Sequence, residues 1–326
     1  MIENVLKIDQ IARISSRAEH SAFTDLLPVG GEHLLCCYRQ ATNHVSRDGV
    51  IEVSKMTLAG NVHSRQRIAL ADHDLRDPKL SRDASGKLWL IAQARHADQD
   101  NQTLGRKMVS WFSEDGSSWS SPHTLGLPGW WLWRIHWQGD EAVGLAYNRA
   151  QDRVDLYRGH PGKRMFCVNP HTLSLQKHQL GYPNESDLHT DSKGNLWALV
   201  RRDADTFTAQ LGMSATPYRR WQWQDLGQYI GGPAWHPLTE DTMLVAGREY
   251  TGKALVTSVW TLHLPTGAMQ KCLTLPSDGD NSYPGLHISG DDIYISYYSQ
   301  HLDNQVRVYL ARVTGANRLR DVVEQT

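Results

Sequence analysis

Only four cysteines and four phenylalanines occur in 326 residues, and the chain has neither a long apolar run nor a block of like charge. Each shortage removes a class of protein. Cys36, Cys37, Cys167 and Cys272 include no pair at metal-ligand spacing, and the first two are adjacent. The expectation is four buried free thiols rather than a zinc knuckle or a disulfide framework. No stretch approaches the ~20 apolar residues that a membrane-spanning helix needs. Met1 to Ile14 lacks a basic start followed by an apolar core, so the cytoplasm is the expected compartment. The formal net charge is −1, which offers no electrostatic footing for a nucleic acid or a membrane surface as partner. The 16 histidines are scattered, with no HExxH motif, and no phosphate loop or dinucleotide fingerprint is present. No metal and no cofactor are expected on that pattern.

Tryptophan and tyrosine are plentiful instead, at 12 each. Both carry a polar atom on a flat apolar face, which suits strand-rich folds and sugar stacking alike. Short alternating apolar runs separated by Gly, Asp and Asn turns recur along the whole chain, and helical periodicity is scarce. The runs fall into six units, each opening on a polar or aromatic residue. A short strand follows, then a Gly or Asp turn, then a second apolar strand that usually ends in Arg. Thr24-Asp25-Leu26-Leu27 leads to Leu34–Arg39, and Arg76-Asp77-Pro78-Lys79-Leu80 to Leu88–Arg95. Trp133-Arg134-Ile135-His136-Trp137 leads to Ala142–Arg149, and Asn184-Glu185-Ser186 to Leu196–Arg201. Gly232-Pro233-Ala234 leads to Met243–Arg248, and Ser282-Tyr283-Pro284-Gly285-Leu286 to Ile293–Tyr297. The opening positions Asp25, Asp77, Arg134, Glu185, Pro233 and Tyr283 lie 48 to 57 residues apart. That spacing fits a four-stranded propeller blade, so residues 1–326 are expected to form one all-β, six-bladed β-propeller domain. Val5 to Ile14 has no partner within its own unit. It is expected to close the ring as the outer strand of the last blade, hiding two sheet edges.

Ser113-Glu114-Asp115-Gly116-Ser117-Ser118-Trp119 resembles the Asp-box of sialidases, shortened by one residue. An Asp-box is a turn between outer strands and marks a fold without carrying chemistry. Glu185 followed sixteen residues later by Arg201, then Arg248, then Tyr283, reproduces the sialidase order of Glu, Arg, Arg and Tyr. The chain also resembles a bacterial branch of sialidase-like proteins labelled by superfamily alone. The shared stretches are Ala22–Leu26, Leu75–Ser81, Trp131–Arg134 and Ser282–Leu286. In sialidases an Arg-Ile-Pro motif opens the first blade and supplies a third arginine; here that place reads Phe23-Thr24-Asp25.

The resemblance implies that Tyr283 is a nucleophile and Glu185 its base. Cleaving a ketoside that bears a carboxylate builds positive charge beside a negative group, where a neutral phenol meets less repulsion than a carboxylate. A phenol titrating near ~10 needs a base to attack at neutral pH, and a Tyr nucleophile is a known exception to the two-carboxylate rule of glycosidases. Arg201 and Arg248 would hold a substrate carboxylate, because a guanidinium fork matches its two oxygens. Arg39 is the best further candidate among the strand-ending Arg39, Arg95 and Arg149, and Arg76 and Arg134 sit at opening positions. Asp25, Asp77 and His44 compete as proton donor to the leaving group; His20 and His136 are weaker candidates. Trp133 belongs to a run with four Trp in eight residues (130–137), which can stack on a sugar or fill the wedge between blades.

The expected function is an exo-acting glycoside hydrolase for a small acidic saccharide, such as a sialic acid or a related ulosonic or uronic sugar. A glycosidase or lyase for another sugar, using Asp25, Asp77 and Glu185, is one alternative; a non-catalytic carbohydrate- or protein-binding propeller is the other. A small saccharide is the expected partner, and oligomeric state is left open.

Overall fold

The computed structural model describes residues 5–16 and 18–325. Six antiparallel sheets follow one another in chain order, one per repeat. Their innermost strands are His20–Pro28, His73–Arg82, Trp131–Leu132 with His136–Gln138, Pro183–Thr190, Gly231–Pro237 and Ser282–Ser289. We number the blades 1 to 6 in that order. The ring closes as expected: Lys7–Arg13 pairs antiparallel with Arg307–Thr314 and becomes the outer strand of blade 6. Each second strand is apolar on both sides because a neighbouring blade covers each face. In blade 1, Leu34 through Tyr38 are entirely buried. The six apolar clusters lie within and between blades rather than at a single centre.

Two hairpins show how local chemistry sets register. In Asp83–Trp89 and Asp191–Trp197, the Asp carboxylate accepts backbone N–H groups of its own turn and the indole N–H six residues on. Asp115 similarly accepts the backbone N–H of Ser117 and Ser118 between the outer strands of blade 2. Three cysteines are buried and all four are free; Cys167, expected to be buried, is exposed on an outer strand of blade 3.

The feature that builds the site is a bulge repeated in five blades. At Phe23-Thr24, Asp77-Pro78, Asn184-Glu185, Gly232-Pro233 and Tyr283-Pro284, two residues of the inner strand face one on the second strand. Phe23, Asp77, Gly232 and Tyr283 have positive φ there, between 47° and 60°. A bulge bends its strand and re-aims a side chain, and left-handed backbone at bulky residues is strain that the surrounding packing must impose. Blade 3, the least regular repeat, breaks its inner strand altogether at Trp133–Ile135.

One layer further along the axis, polar side chains tie the blades together. Asp25 accepts the Leu80 N–H at 2.8 Å and Arg134 Nη1 at 2.7 Å. Arg134 also donates to the Pro284 carbonyl, and its Nε lies 3.6 Å from Asp187, which accepts the Trp235 N–H. These contacts link blades 1 to 6. Beyond them the opposite mouth holds a cavity of about 230 Å³ lined in part by Lys79, Arg134, His136, Asp187, His189 and Trp235. His189, His236 and His287 sit four residues past the bulge positions 185, 232 and 283, and with His136 they surround that mouth in two ring-contact pairs.

Candidate functional site

Tyr283, Glu185 and Arg201 meet at the mouth where the bulges lie. The Tyr283 hydroxyl donates to Glu185 Oε1 at 2.7 Å and accepts from Arg201 Nη1 at 2.8 Å. Arg201 Nη1 also donates to Glu185 Oε2 at 2.7 Å, and that oxygen accepts the Gly232 N–H at 2.7 Å. Glu185 is thereby fixed with one oxygen on the phenol. Gly232 is required twice: its φ is +57°, and a Cβ there would stand 2.7 Å from Tyr283 Cγ. Burial pushes the Tyr283 phenol well above its ordinary value, and the Glu185 charge adds to this, while Arg201 and Arg248 pull it back. The phenol is therefore neutral at rest, and among the described residues its proton has one acceptor in contact, Glu185.

Arg248 reaches the same ring from blade 5, with its guanidinium carbon 4.9 Å from the Tyr283 centroid. Its Nη2 donates to Asp280 Oδ1, the Asn281 carbonyl and the Tyr298 hydroxyl, and its Nε to the same carbonyl. Arg201 is braced in turn by Asp203 and lies over the Tyr229 ring. Arg201 Nη2 and Arg248 Nη1 enter none of these bonds. Two guanidinium groups with one free edge each beside Tyr283 suit a planar anion such as a carboxylate. Exposure rises outward from this floor: Tyr283 is 8% exposed, Arg201 and Arg248 side chains 13% and 12%, Asp280 24% and His44 47%.

Asp77 lies on its bulge in blade 2, 5% exposed. Its Oδ1 is buried with no hydrogen-bond partner among the described residues. Burial raises its carboxyl above the usual range; Lys79 and Arg76 work against this, and Glu185 adds to it. A carboxyl with an unsatisfied oxygen and a raised pKa is suited to hold a proton and give it up. His44 sits on the rim, its Nδ1 2.6 Å from Asp280 Oδ2, and the Phe23 ring lies between it and Tyr283, at 5.1 Å and 5.4 Å. His20 Nε2 is 3.3 Å from the same Asp280 oxygen. His20, His44 and Asp280 are the His, Cys, Asp or Glu cluster among the described residues with donor atoms close enough to share a metal ion.

Four expected site residues have other duties. Asp25 is 2% exposed and spends both oxygens on Leu80 N and Arg134, so it has no oxygen for a leaving group. Arg134 is bound to Asp25 and the Pro284 carbonyl in the same inter-blade layer. Arg39 is fully buried; its donors go to Asp74, the Asn43 and Ser46 carbonyls and Ser46 Oγ, which shapes the loop carrying His44. Trp133 is 2% exposed, packed against Tyr283 with the Lys79 ammonium over it, so it backs the site and offers no face to a sugar. Arg76 is nearer to its expected place: Nη1 holds Asp74 and the His44 carbonyl, and its side chain is 11% exposed over Phe23. Arg95 holds Asn101 and Thr103. His136 belongs to the opposite mouth and His20 to the Asp280 cluster.

The sequence does not single out Asp280, Tyr298, Gly232 or Phe23 as site residues. Asp280 precedes blade 6 in an ordinary turn-like Asp-Gly-Asp-Asn stretch, and nothing local distinguishes it. Gly232 had a signal: Gly-Pro at the place where other repeats carry Asp-Pro and Tyr-Pro.

No protein-family model matches the chain, and no curated protein matches it in sequence. Solved structures do match in shape. A protein of unknown function from Dyadobacter fermentans superposes with a TM-score of 0.80 at 14% identity, over 95% of this chain and 99% of that one. An alpha-L-arabinanase of Penicillium chrysogenum, complexed with arabinobiose, gives 0.70 at 13% identity, over 94% and 98%. The NanB sialidase of Streptococcus pneumoniae gives 0.65 at 9% identity, over 94% of this chain and 70% of that one. The chain therefore has the six-bladed β-propeller fold of the sialidase-like and arabinanase glycosidase structures.

Proposed function

We propose that the protein is a glycoside hydrolase that removes a terminal acidic sugar, with Tyr283 as nucleophile. The observation that carries this reading is the bonded Tyr283–Glu185–Arg201 group with Arg248 beside it. Glu185 takes the phenol proton as Tyr283 Oη attacks the anomeric carbon, and Asp77 gives a proton to the departing oxygen. Arg201 Nη1 already donates to the oxygen that becomes the nucleophile and later the leaving group, so negative charge there is met without rearrangement. Water then attacks, Asp77 takes its proton, and the tyrosine leaves and recovers its own from Glu185. Two displacements retain the anomeric configuration. The carboxylate of the sugar lies between the free edges of Arg201 and Arg248.

The orphaned Asp77 carboxyl favours a second reading, in which Asp77 and Glu185 act as a carboxylate pair on a neutral sugar and Tyr283 only orients Glu185. A panel of 4-methylumbelliferyl glycosides, acidic and neutral, tested with wild type, Tyr283→Phe and Asp77→Asn separates the two. Turnover of an acidic sugar that falls at least ~10³-fold in Tyr283→Phe is expected. Turnover of a neutral sugar that survives Tyr283→Phe and dies in Asp77→Asn selects the second reading. No turnover by folded wild type on any member refutes both for these sugars and favours a binding propeller.

A further inference from the structure

The cluster at the rim has a composition that the glycosidase reading does not use. His20 from the start of blade 1, His44 from the loop after its second strand and Asp280 from the approach to blade 6 converge on one carboxylate oxygen. His44 Nδ1 is 2.6 Å and His20 Nε2 3.3 Å from Asp280 Oδ2, and the imidazole rings stand nearly perpendicular, 5.6 Å apart. All three donor atoms fall within 4.8 Å of one another. The other carboxylate oxygen is occupied: Asp280 Oδ1 accepts from Arg248 Nη2 at 3.2 Å and from the Tyr298 hydroxyl at 3.0 Å. Those two donors turn Oδ2 toward the imidazoles, which is the support that a coordinating carboxylate takes from its surroundings.

We propose that His20 Nε2, His44 Nδ1 and Asp280 Oδ2 form a binding site for one zinc-class divalent cation. Two imidazole nitrogens and one carboxylate oxygen are the donor set of such ions, whereas calcium and magnesium favour oxygen alone. Ligand distances of about 2.0–2.2 Å around a tetrahedral centre place neighbouring donors roughly 3.3–3.5 Å apart. The His20–Asp280 separation of 3.3 Å already has that value. His44, on an exposed loop and 47% exposed, moves outward by less than 1 Å to match it. His20, 5% exposed and fixed against Phe23, supplies the rigid side of the site. Three protein ligands leave a fourth position, the arrangement of a cation that takes a substrate oxygen or water. The nearby Arg248 guanidinium opposes the cation electrostatically, and it does so through the oxygen that does not coordinate.

Cation binding does not depend on the glycosidase reading; only its use by a substrate does. With Phe23 in ring contact with both His44 and Tyr283, a bound cation would hold a hydroxyl or carboxylate oxygen of the same sugar that Tyr283 attacks.

The test uses untagged full-length protein stripped with a chelator and dialysed. Zn²⁺ alone is titrated against a competing chelating dye, and Co²⁺ is added separately to read its visible bands. One equivalent bound at micromolar or lower Kd, with four-coordinate Co²⁺ absorption, is expected. His44→Ala and Asp280→Asn should each weaken binding by more than the roughly 10–100-fold that losing a supporting hydrogen bond costs at metal sites. His96→Ala, an exposed histidine of blade 2, should bind as wild type does. His44→Ala alters only a surface loop, so a folded variant is available even if Asp280→Asn unfolds; near-UV circular dichroism checks both. Absence of one-equivalent binding overturns the proposal, as does binding that persists undiminished in folded His44→Ala. Loss of glycosidase activity plays no part in either outcome.

Discussion

Replacing Asp25 with alanine tests whether the polar layer beneath the site holds the ring together. Asp25 is 2% exposed and accepts both the Leu80 N–H and Arg134 Nη1. Removing one member of a buried ion pair costs about 3–5 kcal/mol, because the surviving charge stays buried. An orphaned buried amide such as that of Leu80 adds about 1–3 kcal/mol. Arg134 keeps Asp187 at 3.6 Å and the Pro284 carbonyl, which places the expected loss near the low end of the sum, about 4 kcal/mol. For a chain of this length that corresponds to a fall in Tm of roughly 6 °C. Asp25→Asn retains one acceptor and should lose about half as much. Thermal melts and urea titrations of the three proteins read the effect. A change below about 1 kcal/mol in Asp25→Ala would refute the inter-blade role. A stable Asp25→Asn without activity would return Asp25 to the list of proton donors.

Asp77→Asn should raise stability at neutral pH or leave it unchanged while removing activity. The folded carboxyl is raised above its unfolded value, so its ionisation opposes folding as pH rises past the unfolded pKa, and an amide is free of that cost; urea midpoints at pH 4 and pH 7 show the sign. Gly232→Ala should abolish turnover and lower stability by about 2 kcal/mol or more, since the new methyl meets Tyr283 Cγ at 2.7 Å in a left-handed backbone. Burial pushes His136 down from an ordinary 6.5 to about 4, with His189 adding to it. The unfolded chain therefore takes up that proton first, and stability falls as pH drops from about 6.5 to about 4. His136→Gln should lessen this loss by up to about 3 kcal/mol in pH-dependent melts.

The propeller was legible because each blade announces itself locally. An apolar second strand such as Leu34–Tyr38 and an Asp or Gly turn before it are properties of a dozen adjacent residues. The bulges were half-visible: Asp77-Pro78, Gly232-Pro233 and Tyr283-Pro284 place a proline after the left-handed residue, but the miscount against the partner strand exists only once strands pair. That is why Asp25 looks like the opening residue in sequence although Phe23 occupies the equivalent bulge. Tyr283, Glu185, Arg201 and Arg248 were expected together, and the structure brings them together. Arg39 and Arg201 look alike in sequence, each ending a second strand. What separates them is the loop 43–46, which takes both Nη groups of Arg39, while Asp74 takes its Nε. Asp280 was invisible because its partners His20 and His44 lie 260 and 236 residues away.

The strand that closes the ring gives synthesis an awkward order. Lys7 pairs with Thr314 and Arg13 with Tyr309. At roughly 5–20 residues per second, a ribosome needs on the order of 15–60 s between making these partners. For that interval Lys7–Arg13 has no sheet to join, and blades 1 to 5 can form while both sides of the gap remain bare. Lys7–Arg13 has the sequence KIDQIAR, whose charged residues discourage pairing with a strand from another chain. The composition that makes it a poor core strand makes it a safe one to leave waiting.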